Sequence, residues 1–510
     1  MKLFLTALCV SALAIVSAQD SLAVKYAETI TAKELSAHLH VIAADEYEGR
    51  ETGYKGQRMC EEYMVNHYKS LGLPPVKGSY TQEFEVSLDD PSKVFVTAGE
   101  KQFSFLEDYY YFPGTNDRRM SANVLFSGYG IDDPKFSDIN KEGIRGKIVM
   151  VWNGEPKGKD GNFIIGGEEP SIWSASRDAK QTLMENNGAL ALMIVYADYE
   201  QRIEQVRGYF SHKGMSLPQK EGNETDKMPV FHISMEMAQE LLGAKAFNKL
   251  KKAKLKRKNA SLESEQVDIT FARSSEMLTS SNVMGYIEGT DKKDEVIIIT
   301  AHYDHIGVDG EVVYNGADDD GSGTVATMEI AQAFAQAKAD GYGPRRSVMI
   351  LNVSAEEKGL LGSQYYVENP ILPLENTVAD LNIDMIGRVD EQHEGNENYV
   401  YLIGADRLSQ GLHDAGEAAN KTYVGLELDY TFNAEDDPNR FYYRSDHYNF
   451  AKNNVPSVFY FSGEHEDYHQ PGDTVDKIMF PKLAKITKLI FYTAWELANS
   501  EERIKVDTVD

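Results

Sequence analysis

The sequence predicts an α/β protein: a central mixed, mostly parallel sheet flanked by helices, with a β-rich insertion. Three observations carry this reading. Val296-Ile297-Ile298-Ile299 and similar β-branched runs are apolar without alternation, as strands buried on both faces are. After Ser274 such runs alternate with helical patterns, the order of an α/β layer. Over residues 121–265 short apolar strands instead follow one another across turns and charged loops. The expected organisation is a leader over residues 1–18, an α/β domain split into residues 19–120 and 266–510, and an insertion at 121–265.

Taken in order, Lys2, the apolar run Leu3 to Val16 and the small residues before Gln19 make a secretory signal peptide, with cleavage expected after Ala18. The run is too short for a standard membrane span, and no later stretch offers a stable membrane anchor. Cys60 is then the one cysteine left, so no intramolecular disulfide is expected; a bacterial periplasmic or secreted protein fits better than a large extracellular animal one. Leu35, Leu39 and Ile42 recur at helical spacing, as do Met59, Tyr63, His67 and Leu71, with Cys60 expected in the core. Between these helices AADEYEGRETGYKGQ reads as a loop, and Gly72 with Pro74-Pro75 ends the second helix. Residues 81–96 alternate like strands. Within the insertion NVLFSGYGI, KIVMVWNG, ALALMIVYA and MPVFHIS are strands, and residues 179–187 a helix. The Lys-rich run 247–260 is a solvated helical face. Strands follow at 283–287, 296–300, 347–353, 378–385 and 456–461, with helices at 324–337 and 482–498. The 510 residues suit two or three domains, and a net charge of -28 argues against nucleic acid or an anionic membrane as partner.

Four strands end in acids or imidazoles. The run at 296–300 leads to His302, Asp304 and His305, then to Asp318-Asp319-Asp320 and Gly321-Ser322-Gly323. SVMILNV leads to Glu356-Glu357, ADLNI to Asp384, and PSVFYF to His465, Asp467 and His469. Parallel strands deliver such residues to one sheet edge, where unpaired carboxylates would raise one another's pKa unless a cation compensated. Mixed imidazole and carboxylate donors suit zinc first, with manganese or cobalt also fitting. Two His and three acids exceed what one tetrahedral zinc takes and fit two ions sharing a carboxylate.

AHYDHIG, NGADDDGSG, SAEEKGLLGS, LNIDMIGR, RSDHYNF and DYHQPGDT, in this order over Asn282 to Lys477, resemble the motifs of the dizinc metallopeptidase family that includes aminopeptidase Y and glutamate carboxypeptidase. The early segment IAADEYEGRETGYKGQ resembles that family's N-terminal helix-loop, and FSGYGI with GKIVMVWNGEP resembles its protease-associated domain. The resemblance implies the zinc exopeptidase fold and two Zn2+ per chain. His302 and Asp384 would hold one zinc, Glu357 and His469 the other, and Asp319 would bridge. Glu356 would be the general base, and Asp304 would orient His302. It also implies a cis peptide between Asp319 and Asp320. Asp318 and Asp320 are expected as backbone supports, and His305 and His465 as structural or supporting residues. No substrate residue is singled out among Ser445, Asp446 and His447. The implied activity is hydrolysis of N-terminal residues from peptides. One alternative is a carboxypeptidase or dipeptidase, for which Arg444 or Arg388 would meet the substrate carboxylate; the acidic tract at 434–438 favours an amine instead. Another is a non-catalytic receptor or scaffold, which would have lost ligands. A glutaminyl-cyclase-like transferase fits less well, because the five-ligand set is complete. No oligomeric state is read from the sequence.

Overall fold

The computed structural model describes residues 19–112, 118–139, 141–207, 210, 214–218, 228–252, 262–271 and 276–508. The expected leader and residues 253–260 of the Lys-rich run lie outside them. The chain forms two compact units, one of residues up to 86 together with those from 278 onward, the other of residues 87–277.

The first unit is built on a mixed sheet. Arg346–Val353, Lys292–His302, Thr377–Ile383 and Ser457–Phe461 lie side by side in that order, all parallel. Met277–Ile287 joins one side antiparallel, and Tyr399–Ile403 joins the other antiparallel with Glu427–Asp429 beyond it. Period-two geometry sends Ile297 and Ile299 into a core with Val325, Ile330, Leu489 and Ile490. Val296 and Ile298 enter the opposite core with Met349, Leu351 and Phe450. Both faces are therefore dry, which is why the run shows no alternation. Each such side chain contributes about 1.5–3 kcal/mol by burial.

Helix Gly323–Ala339 is apolar nearly all round because it is buried nearly all round. The terminal helix Phe480–Asn499 packs in the same core. Helix Ala32–Ile42 opens on a reciprocal cap: Thr31 Oγ1 accepts from the Glu34 amide at 3.2 Å and donates to its carboxylate at 2.9 Å. Among the described residues no helix is long and apolar enough to cross a membrane.

The second unit holds an eight-stranded sheet. The four apolar runs are strands, as expected, and Arg118–Phe126, Ile148–Trp152, Ala191–Val195 and Val230–Ile233 run parallel at its centre. Its limits differ from those expected at 121 and 265. Val94–Ala98, Lys101–Phe103 and Tyr109–Tyr111 pair into this sheet rather than into the α/β one. Alternation marks a strand but not its partner, so the sequence pattern carries no signal of this.

Candidate metal centre

The four parallel strands all end at one edge of the first sheet, and the polar residues beyond them meet there. His302 is the last residue of its strand and is buried. Its Nε2 lies 3.2 Å from Asp319 Oδ1, 3.6 Å from Asp384 Oδ1 and 3.9 Å from Glu356 Oε2. Its Nδ1 faces the main-chain carbonyl of Asp304 at 3.1 Å and that residue's carboxylate at 3.8 Å. The Asp304 carboxylate is itself fixed, accepting from Thr52 Oγ1 at 2.8 Å and from the Glu356 amide at 3.2 Å.

Asp319 turns its second oxygen the other way. Oδ2 lies 3.1 Å from His469 Nε2 and 3.8 Å from His305 Nδ1. Glu357 completes this second group, 3.1 Å from His469 Nε2 and 2.8 Å from His305 Nδ1. The six residues expected in the centre are thus brought together. The Asp319-Asp320 peptide is cis, as expected.

The remaining acids of the triplet are woven into neighbouring loops. Asp318 Oδ1 accepts from the Gly387 amide at 2.6 Å, and its other oxygen lies 3.3 Å from His465 Nε2. Asp320 Oδ1 accepts from the amides of Gly323 and Met385 at 2.8 and 3.1 Å. Asp473 receives the amides of Asp318 and Asp319, both at 3.0 Å. Asp384 is steadied by Ser445 Oγ, which donates to its Oδ2 at 2.8 Å.

Two features are not evident from the sequence. His305 is fully buried, with Nδ1 closer to Glu357 than His469 is, and it forms one cation-sized group with Asp319 and Glu357. Asp320 likewise stands in one group with His302 and Asp384, its ligand atom within 4.8 Å of theirs. The spacing of His305, three residues after His302, is the available signal for the first; the cis turn that brings Asp320 round is not visible in composition.

The donor set fits divalent cations. His302 Nε2, Asp319 Oδ2 and Glu357 Oε1 are buried, and each is met within the cluster by an imidazole–carboxylate contact, at 3.2, 3.1 and 2.8 Å. Such contacts satisfy both partners only while the imidazole carries a proton toward the acid; a cation would satisfy all three atoms without one. Protonation follows the same crowding. Burial pushes the Glu356 carboxyl well above its usual range; His302 opposes this, and Glu357, Asp384 and Asp446 add to it. For Glu357 burial and Asp319 push upward, but His305 and His469 outweigh them and hold it at about 2. His469 is raised to about 10, since its bonds to Asp319 and Glu357 outweigh burial. In the metal-free protein a protonated imidazole therefore sits where a cation belongs.

A cavity opens onto this cluster. Glu356, Asp384, Phe441, Phe459 and Phe461 are among its lining, and Tyr468 stacks on His469 there. Arg444 lies at the rim, bound to Glu464 at 2.7 Å and to Tyr468 Oη at 3.3 Å. Arg388 is not in this lining and pairs with Asp467 at 2.6 Å.

Comparison with known proteins gives a consistent picture. Residues 282–494 match the model described as peptidase family M28. The chain is 25% identical over 395 residues to a probable glutamate carboxypeptidase, AMP1, of Arabidopsis thaliana, covering 69% of this chain and 50% of that one. It is 29% identical over 212 residues to leucine aminopeptidase 1 of Penicillium rubens, covering 40% of this chain and 53% of the relative. Aminopeptidase YwaD of Bacillus subtilis is 26% identical over 235 residues, 44% of this chain and 47% of that one. The chain thus spans about half the length of the curated relatives it matches. In fold it resembles an aminopeptidase from Aneurinibacillus sp. strain AM-1, with TM-score 0.56 at 19% identity over 96% of this chain and 98% of that one. A zinc aminopeptidase from Bacillus subtilis is also similar, with TM-score 0.50 at 17% identity over 94% and 98%.

Proposed function

Because residues 282–494 match the model of peptidase family M28, we propose that this chain is an exported dizinc exopeptidase that removes N-terminal residues from peptides. The observation that carries the reading is the posture of Asp319, with Oδ1 3.2 Å from His302 and Oδ2 3.1 Å from His469. One carboxylate serving two groups is what a shared pair of ions requires. His302 and Asp384 would hold one zinc and Glu357 and His469 the other, with Asp319 common to both. Bound there, two divalent ions supply Lewis acidity, polarising a carbonyl and acidifying water. Glu356 takes the proton of the attacking water and returns it to the leaving amine. Asp304 orients His302 and holds the Glu356 main chain, coupling the base to the metal edge.

Tyr468 is proposed as the donor to the carbonyl oxygen as charge develops on it. Burial and the carboxylates of Asp319, Glu357 and Glu356 raise its phenol well above the usual range, so it keeps its proton. Tyr468→Phe is expected to lower kcat by about 10²-fold with KM and zinc content little changed, as loss of one such donor does. Steady-state kinetics beside metal analysis checks this, and an unchanged kcat would remove Tyr468 from the mechanism.

Both cations that could receive a substrate carboxylate are matched by acids, Arg444 by Glu464 and Arg388 by Asp467. This supports an aminopeptidase over a carboxypeptidase. The complete donor set supports an enzyme over a receptor relative. Export rests on the leader read over residues 1–18, and identity of the second unit as a protease-associated domain rests on the motifs quoted for it.

The test is a substrate screen on the purified protein. Amino-acid p-nitroanilides should be cleaved, with activity abolished by chelation and restored by zinc. Cleavage confined to N-blocked peptides with free C-termini would reverse the assignment.

A further inference from the structure

Arg50 belongs to the polar, Gly-rich stretch that reads as a surface loop, yet it is fully buried. Among the described residues its guanidinium donates only to main-chain carbonyls. Nε reaches Tyr303 O at 2.8 Å, Nη1 reaches Ile42 O at 3.0 Å and Asn315 O at 2.7 Å, and Nη2 reaches Gly316 O at 2.8 Å. Among the described residues no carboxylate pairs with it. A buried charge without a counter-ion costs free energy, and a solvated Lys or a neutral side chain would fill a merely structural corner at less cost.

Three of the four carbonyls share a position, while the fourth, Ile42 O, is the last of helix Ala32–Ile42. Tyr303 lies between His302 and Asp304, while Asn315 and Gly316 precede Asp319 by four and three residues. The rigid five-donor fork therefore bolts the His302 loop to the Asp319 loop. The main chain repeats the tie, since Arg50 O accepts from the His305 amide at 3.3 Å. Nearby packing is equally tight. A Cβ on Gly49 would stand 2.4 Å from the carbonyls of Gly307 and Tyr314, and one on Gly316 would stand 2.3 Å from Asp319 O. Each of these positions has positive φ, which glycine adopts without strain.

We propose that Arg50 is a positioning residue that sets the spacing of His302 and Asp319 and thereby the affinity of the centre for zinc. This rests on the reading of those two residues as ligands. Lys in its place keeps the charge but not the planar fork, so it cannot hold both loops in one geometry.

Arg346 provides the internal control. It too is a fully buried arginine, donating to Leu497 O at 2.9 Å and Ser500 O at 2.7 Å and paired with Glu295, but it begins its strand at the end remote from the metal edge. The experiment is zinc titration of the chelator-stripped wild type, Arg50→Lys and Arg346→Lys, with thermal unfolding of each metal-free protein alongside. Arg50→Lys is expected to lose about 10–100-fold in zinc affinity, as supports of ligand residues do. Arg346→Lys should bind zinc like the wild type even where its unfolding temperature falls. Equal zinc affinity in all three proteins overturns the role of Arg50, whereas a wild type that binds no zinc overturns the metal centre itself. If Arg50→Lys does not fold, Arg50→Ala is titrated with methylguanidinium or methylammonium added. Recovery of zinc affinity with methylguanidinium alone supports the proposal. A fold recovered without zinc affinity, or recovered with neither additive, overturns it.

Discussion

Glu356→Gln is expected to keep both zinc ions and to lose about 10²–10⁴-fold in turnover, the range that general acid–base catalysis supplies. The side chain suits this separation of roles. Its main-chain amide is fixed by Asp304, and its carboxylate stands 3.9 Å from His302 Nε2, beyond the nearer acids Asp319 and Asp384. It belongs to neither cation-sized group, and it lines the cavity where a substrate would lie. Gln matches its shape and keeps two lone pairs on one oxygen, but it cannot carry the water's proton to the amine. In the metal-free cluster burial and neighbouring acids push the Glu356 carboxyl up, and two bound cations would oppose that shift. Activity should therefore fall on the acid side through protonation of Glu356, and that limb of the kcat/KM profile should vanish in the residual activity of the variant. Full turnover in Glu356→Gln, or loss of zinc from it, would each remove Glu356 as the base.

Much of the centre is legible in the sequence because its physics is local to strand ends. A short, β-branched, unalternating run such as Val296 to Ile299 reads as a strand dry on both sides, and the residues next after a parallel strand arrive at the working edge. His302, Glu356, Glu357, Asp384 and His469 all come after such runs. Less legible are features set by contacts between distant segments. Arg50 looks like a solvent-facing charge in a polar loop, and only the folded chain reveals four carbonyls converging on it. His305 lies one turn of chain beyond His302, and its approach to Glu357 depends on the loop path. Helix Ser21–Ala27 is equally hidden, since seven residues are too few for periodicity to speak. The strand at 94–98 overlaps the alternating run 81–96, but the choice between two sheets is a tertiary one, and the three residues 101–103 are too few to show a pattern.

Asp319→Asn should be the more severe change, because it touches both ions at once. The carboxylate faces His302 with one oxygen and His469 with the other, and burial that would neutralise it is outweighed by those imidazoles, holding its pKa well below the usual range. It is therefore an anion at any working pH, poised between two groups that each hold a further acid, Asp384 or Glu357. An amide offers one oxygen and no charge, so it cannot serve both groups. The expected outcome is loss of both zinc ions at concentrations that saturate the wild type, with activity reduced to background. Stability provides an independent readout. A ligand at about a hundred times its Kd stabilises by about 2.7 kcal/mol, so zinc should raise the unfolding temperature of the wild type and leave that of Asp319→Asn unmoved. The sign with pH comes from His469, whose raised pKa of about 10 means that metal binding must expel a proton there. Zinc affinity of the wild type should fall as pH is lowered, with protons released on titration in weak buffer. Binding of two zinc ions by Asp319→Asn would show that Asp319 does not bridge, and the second group would then have to close through Glu357, His469 and His305.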